Sequence, residues 1–437
     1  MNVRMLWDGR RSPMVRNVMA RLAALLSLTL VSLLVARTSG PAGVGIFVLL
    51  RVLPWIVGTL VSCGLFGAAP YFLAGPARSD PRYRPTIFAV AVVSGAVGGI
   101  LWVAASPVLQ DVLFPRMSIG LVALAGITVL TQTLESTSKA CSQGRNDFAG
   151  ANRVIVLEEL LFLPAYGVLF ALGVPGEIAI VTALIFGDMA TSSQGWIRLG
   201  RRGFFAGAGR PDMVLAGRVL RFGLRAQVGT LLLLVNARLD FAIVGALVGP
   251  AALGVYAVAS RYAELLRLPS LAFNYVLYPE FARDDGPAAA RKAARLIPRV
   301  GWIPAAAAIP LGLSAAFVIR LLFGAEFDGA AVPASILLLG LAGGGVSAIV
   351  TAFLYGQGRP GLNSIAMGAG LAATVVLDFL LIPPFGIVGA AAASCVAYLI
   401  TTAVLVAFFS SVSRSREAEG PEPAPVPVAE PALEVAR

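Results

Sequence analysis

The chain has 437 residues, of which 58% are hydrophobic and only 13% charged, against a typical charged share of about 25% in soluble domains. That composition excludes a soluble globular fold and describes a polytopic membrane protein. The net charge of +11 would suggest nucleic acid in a soluble chain, but here the arginines fall in short loops on one side of apolar segments, so nucleic acid is excluded as a partner.

In chain order, Arg4, Arg10, Arg11, Arg16 and Arg21 precede the apolar run Leu22 to Ala36. The pattern resembles a signal peptide, but the run continues into a Gly40-Pro41 turn that recurs in mid-chain, so it reads as an uncleaved first transmembrane helix. Apolar runs then predict helices over 16–37, 43–74, 86–106, 117–140, 151–172 and 176–198, followed by 222–248, 251–282, 297–320, 331–356, 361–382 and 386–410. The expected organisation is a cytoplasmic N-terminal segment 1–15, a six-helix bundle 16–198, a linker 199–221, a second six-helix bundle 222–410 and a disordered cytoplasmic tail 411–437. The tail combines Pro, Ala, Glu and Ser without apolar periodicity. The linker RLGRRGFFAGAGRPD reads as a topogenic arginine loop, with docking on anionic lipid head groups as the alternative.

The two halves echo one another. Gly249-Pro250-Ala251-Ala252-Leu253-Gly254-Val255-Tyr256 repeats Gly40-Pro41-Ala42-Gly43-Val44-Gly45-Ile46-Phe47 at an offset of 209, and Pro279-Glu280-Phe281 repeats Pro70-Tyr71-Phe72 in the same register. Leu322-Phe323 matches Leu113-Phe114 at the same offset, and Gly386-Ile387-Val388-Gly389 matches Gly173-Val174-Pro175-Gly176 at 213. A tandem duplication of this kind is typical of secondary transporters. An even number of helices per repeat makes the halves parallel, so the expected fold is all-α, with twelve transmembrane helices in two bundles related by a pseudo-two-fold axis along the membrane normal.

Arginine bias sets the expected orientation. One side carries Arg78, Arg82, Arg84, Lys139, Arg145, Arg153 and the seven arginines from Arg198 to Arg225, whereas the opposite loops hold only Arg37, Arg116 and Arg320. Both termini are therefore expected in the cytoplasm.

The charges inside apolar runs are the candidate functional residues, because ionisable groups at that depth normally face a partner or a water-filled cavity. Arg51 lies six residues beyond Gly45, and Arg261 seven beyond Gly254. Both thus enter from the outer turn to a depth of about 9 to 11 Å, and the duplication supplies one arginine per half for a positively charged central cavity. The expectation is that these two are unpaired in the cavity; an Arg261–Glu264 ion pair is the structural alternative. Arg238 and Asp240 sit near the middle of their helix and project about 200° apart, so they cannot share a face, whereas Asn236 and Asp240 do. The sequence leaves open which face lines the path. Asp240, with Glu264 second, is the candidate for binding a coupling H⁺ or Na⁺. Glu135, with Lys139 one turn away, and Glu158 and Glu159 read as interfacial or intrahelical groups; Asp188 and Asp378 complete the set. The chain has no histidine, and Cys63, Cys141 and Cys395 lack metal or redox spacing. No catalytic residue, metal site or resident cofactor is expected.

The stretch RVLRFGLRAQVGTLLLLVNARLDFAIVGALVGPAALGVYAVASRYAELLRLPSLAFNYVLYPEFAR, together with LLVARTSGPAGVGIFVLL, SQGRNDFAGANR, FGAEFDGAAVPASILLLG and LIPPFGIVGAAAASCVAYLI, resembles the Wzx-like polysaccharide flippases of the multidrug/oligosaccharidyl-lipid/polysaccharide (MOP) superfamily over about residues 16 to 410. The resemblance implies a bacterial inner-membrane protein that moves a polyprenyl-diphosphate-linked oligosaccharide from the cytoplasmic to the outer leaflet. Its implied partners are the lipid-linked glycan, a polysaccharide polymerase and other assembly proteins. Related lipid II flippases use cavity arginines for the diphosphate, and Arg51, Arg261 and Arg238 are the positions placed to do so here. Twelve spans, without two extra C-terminal ones, separate this chain from that subgroup. The rival within the superfamily is a cation-coupled multidrug exporter, which would favour carboxylates and aromatics around its cargo. A membrane enzyme such as a polymerase or acyltransferase is the rival outside it, and the missing large outer loops and histidines argue against that.

Overall fold

The computed structural model describes residues 13–418, less 75–79, 208, 268–269, 271–276, 278–279, 282–283 and 285; the side chains of 13–18, 225, 226, 228–238 and 415–418 are also outside the described set. Among the described residues the regular structure is helical. The first half comprises α1 (Pro13–Val61), α2 (Leu65–Ala74), α3 (Tyr83–Leu113), α4 (Ile119–Leu124), α5 (Ile127–Gly144), α6 (Phe148–Leu160), α7 (Phe162–Ala171) and α8 (Gly176–Arg201). The second comprises α9 (Met213–Leu247), α10 (Pro250–Glu264), α11 (Gly286–Val300), α12 (Ile303–Phe323), a 3₁₀ turn (Ala325–Ala330), α13 (Ala331–Leu341), α14 (Gly344–Gly356) and α15 (Pro360–Ala418).

Seven helical stretches among the described residues are long and apolar enough to cross a membrane. Two of them are too long to cross once. Helix α1 has 49 residues and α15 has 59, and at 1.5 Å per residue each exceeds twice the ~30 Å hydrocarbon thickness. Each bends at a glycine with positive φ, Gly40 (63°) and Gly386 (56°). Divided at these bends, the chain is consistent with the twelve expected arms. Helices such as α12 expose an i, i+4 stripe of Ile309, Leu313 and Phe317, which suits contact with lipid.

The duplication is visible in the backbone. Gly249, the counterpart of Gly40, also has positive φ (105°), as does Gly173 (73°), the counterpart of Gly386. Only a residue without Cβ adopts this conformation readily, so both repeats use glycine to turn the chain back into the membrane. At these turns the halves cross. A Cβ added to Gly45 would overlap the Pro250 carbonyl, and one added to Gly254 would overlap the Pro41 carbonyl.

The apolar core around this crossing is common to both halves, joining Val44, Phe47 and Leu50 to Leu253, Tyr256 and Val258. At the arginine-rich end each half has its own core instead. One surrounds Leu65, Ile87, Leu199 and Phe204; the other surrounds Phe281, Ala289, Phe353 and Leu405. The turn end is thus sealed by shared packing. Arg37 adds to the seal, donating from Nε to the Leu322 carbonyl at 2.7 Å and from Nη2 to the Leu321 carbonyl, acceptors that the C-terminus of α12 leaves open.

Several boundaries differ from those read in the sequence. The second expected helix breaks at 62–64, where Cys63 and Gly64 have positive φ. Helix α8 runs to Arg201 and α9 starts at Met213, so the connection is shorter than 199–221; Asp212 caps α9 by accepting from the Val214 and Leu215 amides at 2.8 and 3.2 Å. Helix α15 continues to Ala418, eight residues into the stretch expected as tail, because no Gly or Pro interrupts the chain before Gly420 and Pro421.

Candidate functional site

Between the halves lies a cavity of about 170 Å³ whose wall includes Arg51 and Arg261. The duplication puts one arginine of each repeat at matching depth, and both line this one cavity. Phe47, Trp55 and Phe241 supply apolar wall, and Gln132, Glu135, Glu158 and Glu159 supply polar wall.

Arg51 is not unpaired, contrary to the sequence-based expectation. Its Nη2 lies 2.9 Å from Glu159 and 3.1 Å from Glu158, and its Nη1 lies 3.0 Å from Asp188. Asp188 also accepts from Gln132 Nε2 at 3.0 Å. Lys139 continues the network, 3.1 Å from Glu158 and 3.8 Å from Glu135. The pairing arises because α6 packs on the inner arm of α1 and brings Glu158 and Glu159 to it, while α8 delivers Asp188 from behind. Two cations, Arg51 and Lys139, therefore meet four carboxylates: Glu135, Glu158, Glu159 and Asp188. The expected interfacial and intrahelical roles give way to one partly buried network, in which the Glu135–Lys139 contact remains an i, i+4 pair. Asp188 and Glu135 are each 2% exposed, so neither can be hydrated as at a surface, and each relies on its protein partners.

Arg261 Nη1 stands 3.6 Å from Glu264 one turn on, the alternative foreseen for it. Arg238 lies on α9, and its side chain, like that of Asn236, is outside the described residues. Asp240 points away from the central cavity. It is buried inside the second half, accepting from Tyr256 Oη at 2.7 Å and from the Phe241 amide at 2.9 Å, and Tyr256 Oη is 3.4 Å from Ser394 Oγ on α15. Phe241, next in sequence, faces the cavity instead.

Asp378 on α15 lies within electrostatic range of Asp240. It is fully buried, and neither of its oxygens has a hydrogen-bond partner among the described residues. The sequence showed Asp378 as a mid-span carboxylate but gave no means of pairing it with Asp240, 138 residues earlier. Among the described residues no group of three or more His, Cys, Asp or Glu side chains is arranged to hold a metal.

The sequence profile of the family described as "Polysaccharide biosynthesis protein" matches residues 30–332, about two thirds of the chain. The chain belongs to this family. No curated protein sequence matches it. Among solved structures, the lipid II flippase MurJ in an inward closed conformation superposes with a TM-score of 0.74 at 12% identity, covering 93% of this chain and 90% of that one. An inward-facing multidrug resistance MATE family transporter of the MOP superfamily gives 0.69 at 14% identity, covering 94% and 100%. A MOP superfamily transporter from Pyrococcus furiosus with a binding pocket of reverse polarity gives 0.61 at 15% identity, covering 93% and 96%. The chain thus has the MOP-superfamily fold and is a multi-pass membrane protein.

Proposed function

We propose that this protein moves a polyprenyl-diphosphate-linked oligosaccharide from the cytoplasmic to the outer leaflet of a bacterial inner membrane, with both termini in the cytoplasm. The observation that carries the reading is the meeting of Arg51 and Arg261, one from each repeat, in one cavity between the halves. A diphosphate and its sugars lose hydration on entering hydrocarbon, so a carrier must supply cations and polar groups while the polyprenyl tail stays in lipid. Guanidinium forks suit the phosphate oxygens. The shared core at the turns and the separate cores at the arginine-rich end support a state entered from the arginine-rich end, which this reading takes as the cytoplasmic side. Rocking of the halves would expose the same arginines to the other side. Residues 16–198 and 222–410 are the two units assigned to that motion, and a polysaccharide polymerase would take the delivered glycan.

In this reading the diphosphate competes with Glu158, Glu159 and Asp188 for Arg51. Two anionic groups cannot both hold one guanidinium at full strength, so substrate entry requires that some carboxylate charge be neutralised. Asp240 and Asp378 are the proposed sites for a coupling H⁺ or Na⁺ in the second half, and Glu264 beside Arg261 is the alternative.

A second reading has its own observation. Four carboxylates against two cations around Arg51 favour a cationic cargo, as in a cation-coupled multidrug exporter of the same fold. Mass spectrometry of lipid extracted from the purified protein separates the two. A retained polyprenyl-diphosphate glycan supports the flippase, whereas its absence from protein made in glycan-producing cells, together with saturable binding of a cationic amphiphile, supports the exporter.

A further inference from the structure

A second cavity, of about 420 Å³, opens between α6 and α8 at the arginine-rich end. Its wall carries Arg153 from α6, Arg198 and Arg201 from the last turn of α8, and Arg202 just beyond. One carboxylate answers them. Asp147 is 3.0 Å from Arg198 and 2.9 Å from Arg202, and it also accepts from the Gly150 amide at 3.0 Å. Burial works against its charge, but the hydrogen bonds from Arg198 and Gly150 hold this loop carboxyl below its usual range, so it stays ionised and satisfies those two arginines. Arg153 and Arg201 are exposed and have no carboxylate partner among the described residues. Along the same face of α8, Phe186, Met189 and Ile197 recur at helical spacing and are 62%, 49% and 54% exposed.

We propose that this groove binds the phosphate head group of an anionic glycerophospholipid, with an acyl chain laid along Phe186, Met189 and Ile197. The shape fits that class of ligand: a pocket of guanidinium donors suits a phosphate, and the apolar stripe leading from it suits a hydrocarbon tail. The stripe faces outward, away from the cavity that holds Arg51 and Arg261, so the occupant is a membrane lipid that steadies the first half. Asp147 orders Arg198 and Arg202 as the floor of the pocket, while Arg153 and Arg201 are left to grip the head group.

The test is a titration of the full-length protein in phosphatidylcholine micelles with fluorescent phosphatidylglycerol. Removing both exposed arginines, in R153Q/R201Q, is expected to weaken binding about thirtyfold, from roughly tenfold per 1.4 kcal/mol and about 1 kcal/mol per arginine. Ser193→Trp, which fills the groove at constant charge, is expected to weaken it as well. The control R291Q/R295Q, which removes two exposed arginines from α11, is expected to bind as the wild type does. Millimolar pyrophosphate is expected not to displace the lipid. Thermal unfolding of each variant without phosphatidylglycerol checks that it is folded. Unchanged binding in both groove variants, an equal loss in the control, or displacement by pyrophosphate each overturns the proposal; the last would identify a free-phosphate site.

Discussion

Gly45 and Gly254, 209 residues apart, face each other across the junction of the two halves, each pressed against the backbone of the other repeat. Neither position has room for a Cβ, since the obstacle is a proline carbonyl rather than a flexible side chain. Gly45→Ala and Gly254→Ala are expected to destabilise the folded protein by about 1 to 3 kcal/mol, the usual cost of forcing atoms into a packed core. Gly120→Ala, where a Cβ meets nothing within 4 Å, is the control, and thermal unfolding in detergent is the measurement. Equal melting temperatures for all three would show that the crossing is loose.

Arg51 holds three carboxylates, so its removal affects folding as well as transport. Arg51→Ala is expected to lower the amount of folded protein, since breaking a buried pair costs about 3 to 5 kcal/mol. Combining it with Glu159→Gln and Asp188→Asn is expected to restore abundance but not glycan export. Arg51→Lys keeps the charge and loses the fork, and partial export is expected. Recovery of export in the triple variant would make Arg51 a structural residue.

Arg261 is expected to behave differently. It stands 3.6 Å from Glu264 one helical turn on, and Arg261→Ala is expected to abolish export with little loss of abundance. If Arg261→Ala lowers abundance, and replacing Glu264 as well restores both abundance and export, the pair is structural and the diphosphate assignment fails.

Asp378 is buried without a hydrogen-bond partner among the described residues, so converting it to a neutral amide removes a charge that those residues do not balance. Asp378→Asn is expected to fold at least as well as the wild type and to lose the dependence of transport on pH or Na⁺ in proteoliposomes. Retention of the full dependence, with Asp240→Asn behaving likewise, would leave both carboxylates outside the coupling.

Arg37 ties α1 to the carbonyl end of α12. Arg37→Ala is expected to let the turn end open more often, so a cysteine at Trp55 should react faster with an impermeant thiol reagent added from outside the cell. An unchanged rate would place the seal in the apolar core alone.

The turns and the cavity arginines were legible in the sequence for a local reason. Gly40-Pro41 and Gly249-Pro250 encode their backbone geometry within a few residues, and the matched register carried Arg51 and Arg261 to similar depth. What surrounds those arginines was not legible. Glu159 and Asp188 reach Arg51 from 108 and 137 residues away, through packing of α6 and α8 that no local pattern specifies. The facing of Asp240 was hidden in the same way, because helical periodicity relates residues on one helix without saying which neighbour they meet. Breaks such as 62–64 leave no mark in the sequence pattern, because an apolar run reads alike whether or not a left-handed residue interrupts it.

The crossing of the repeats also bears on their origin. Gly45 touches Pro250, and Gly254 touches Pro41, which is the self-complementary form of contact found in a two-fold dimer, where residue i meets j and j meets i. Two copies of a single ancestral repeat could have made this contact before they were joined in one chain. Fusion then fixed the partner and freed each half to diverge away from the axis, which fits a charge network around Arg51 drawn from the first half's own Lys139, Glu158, Glu159 and Asp188.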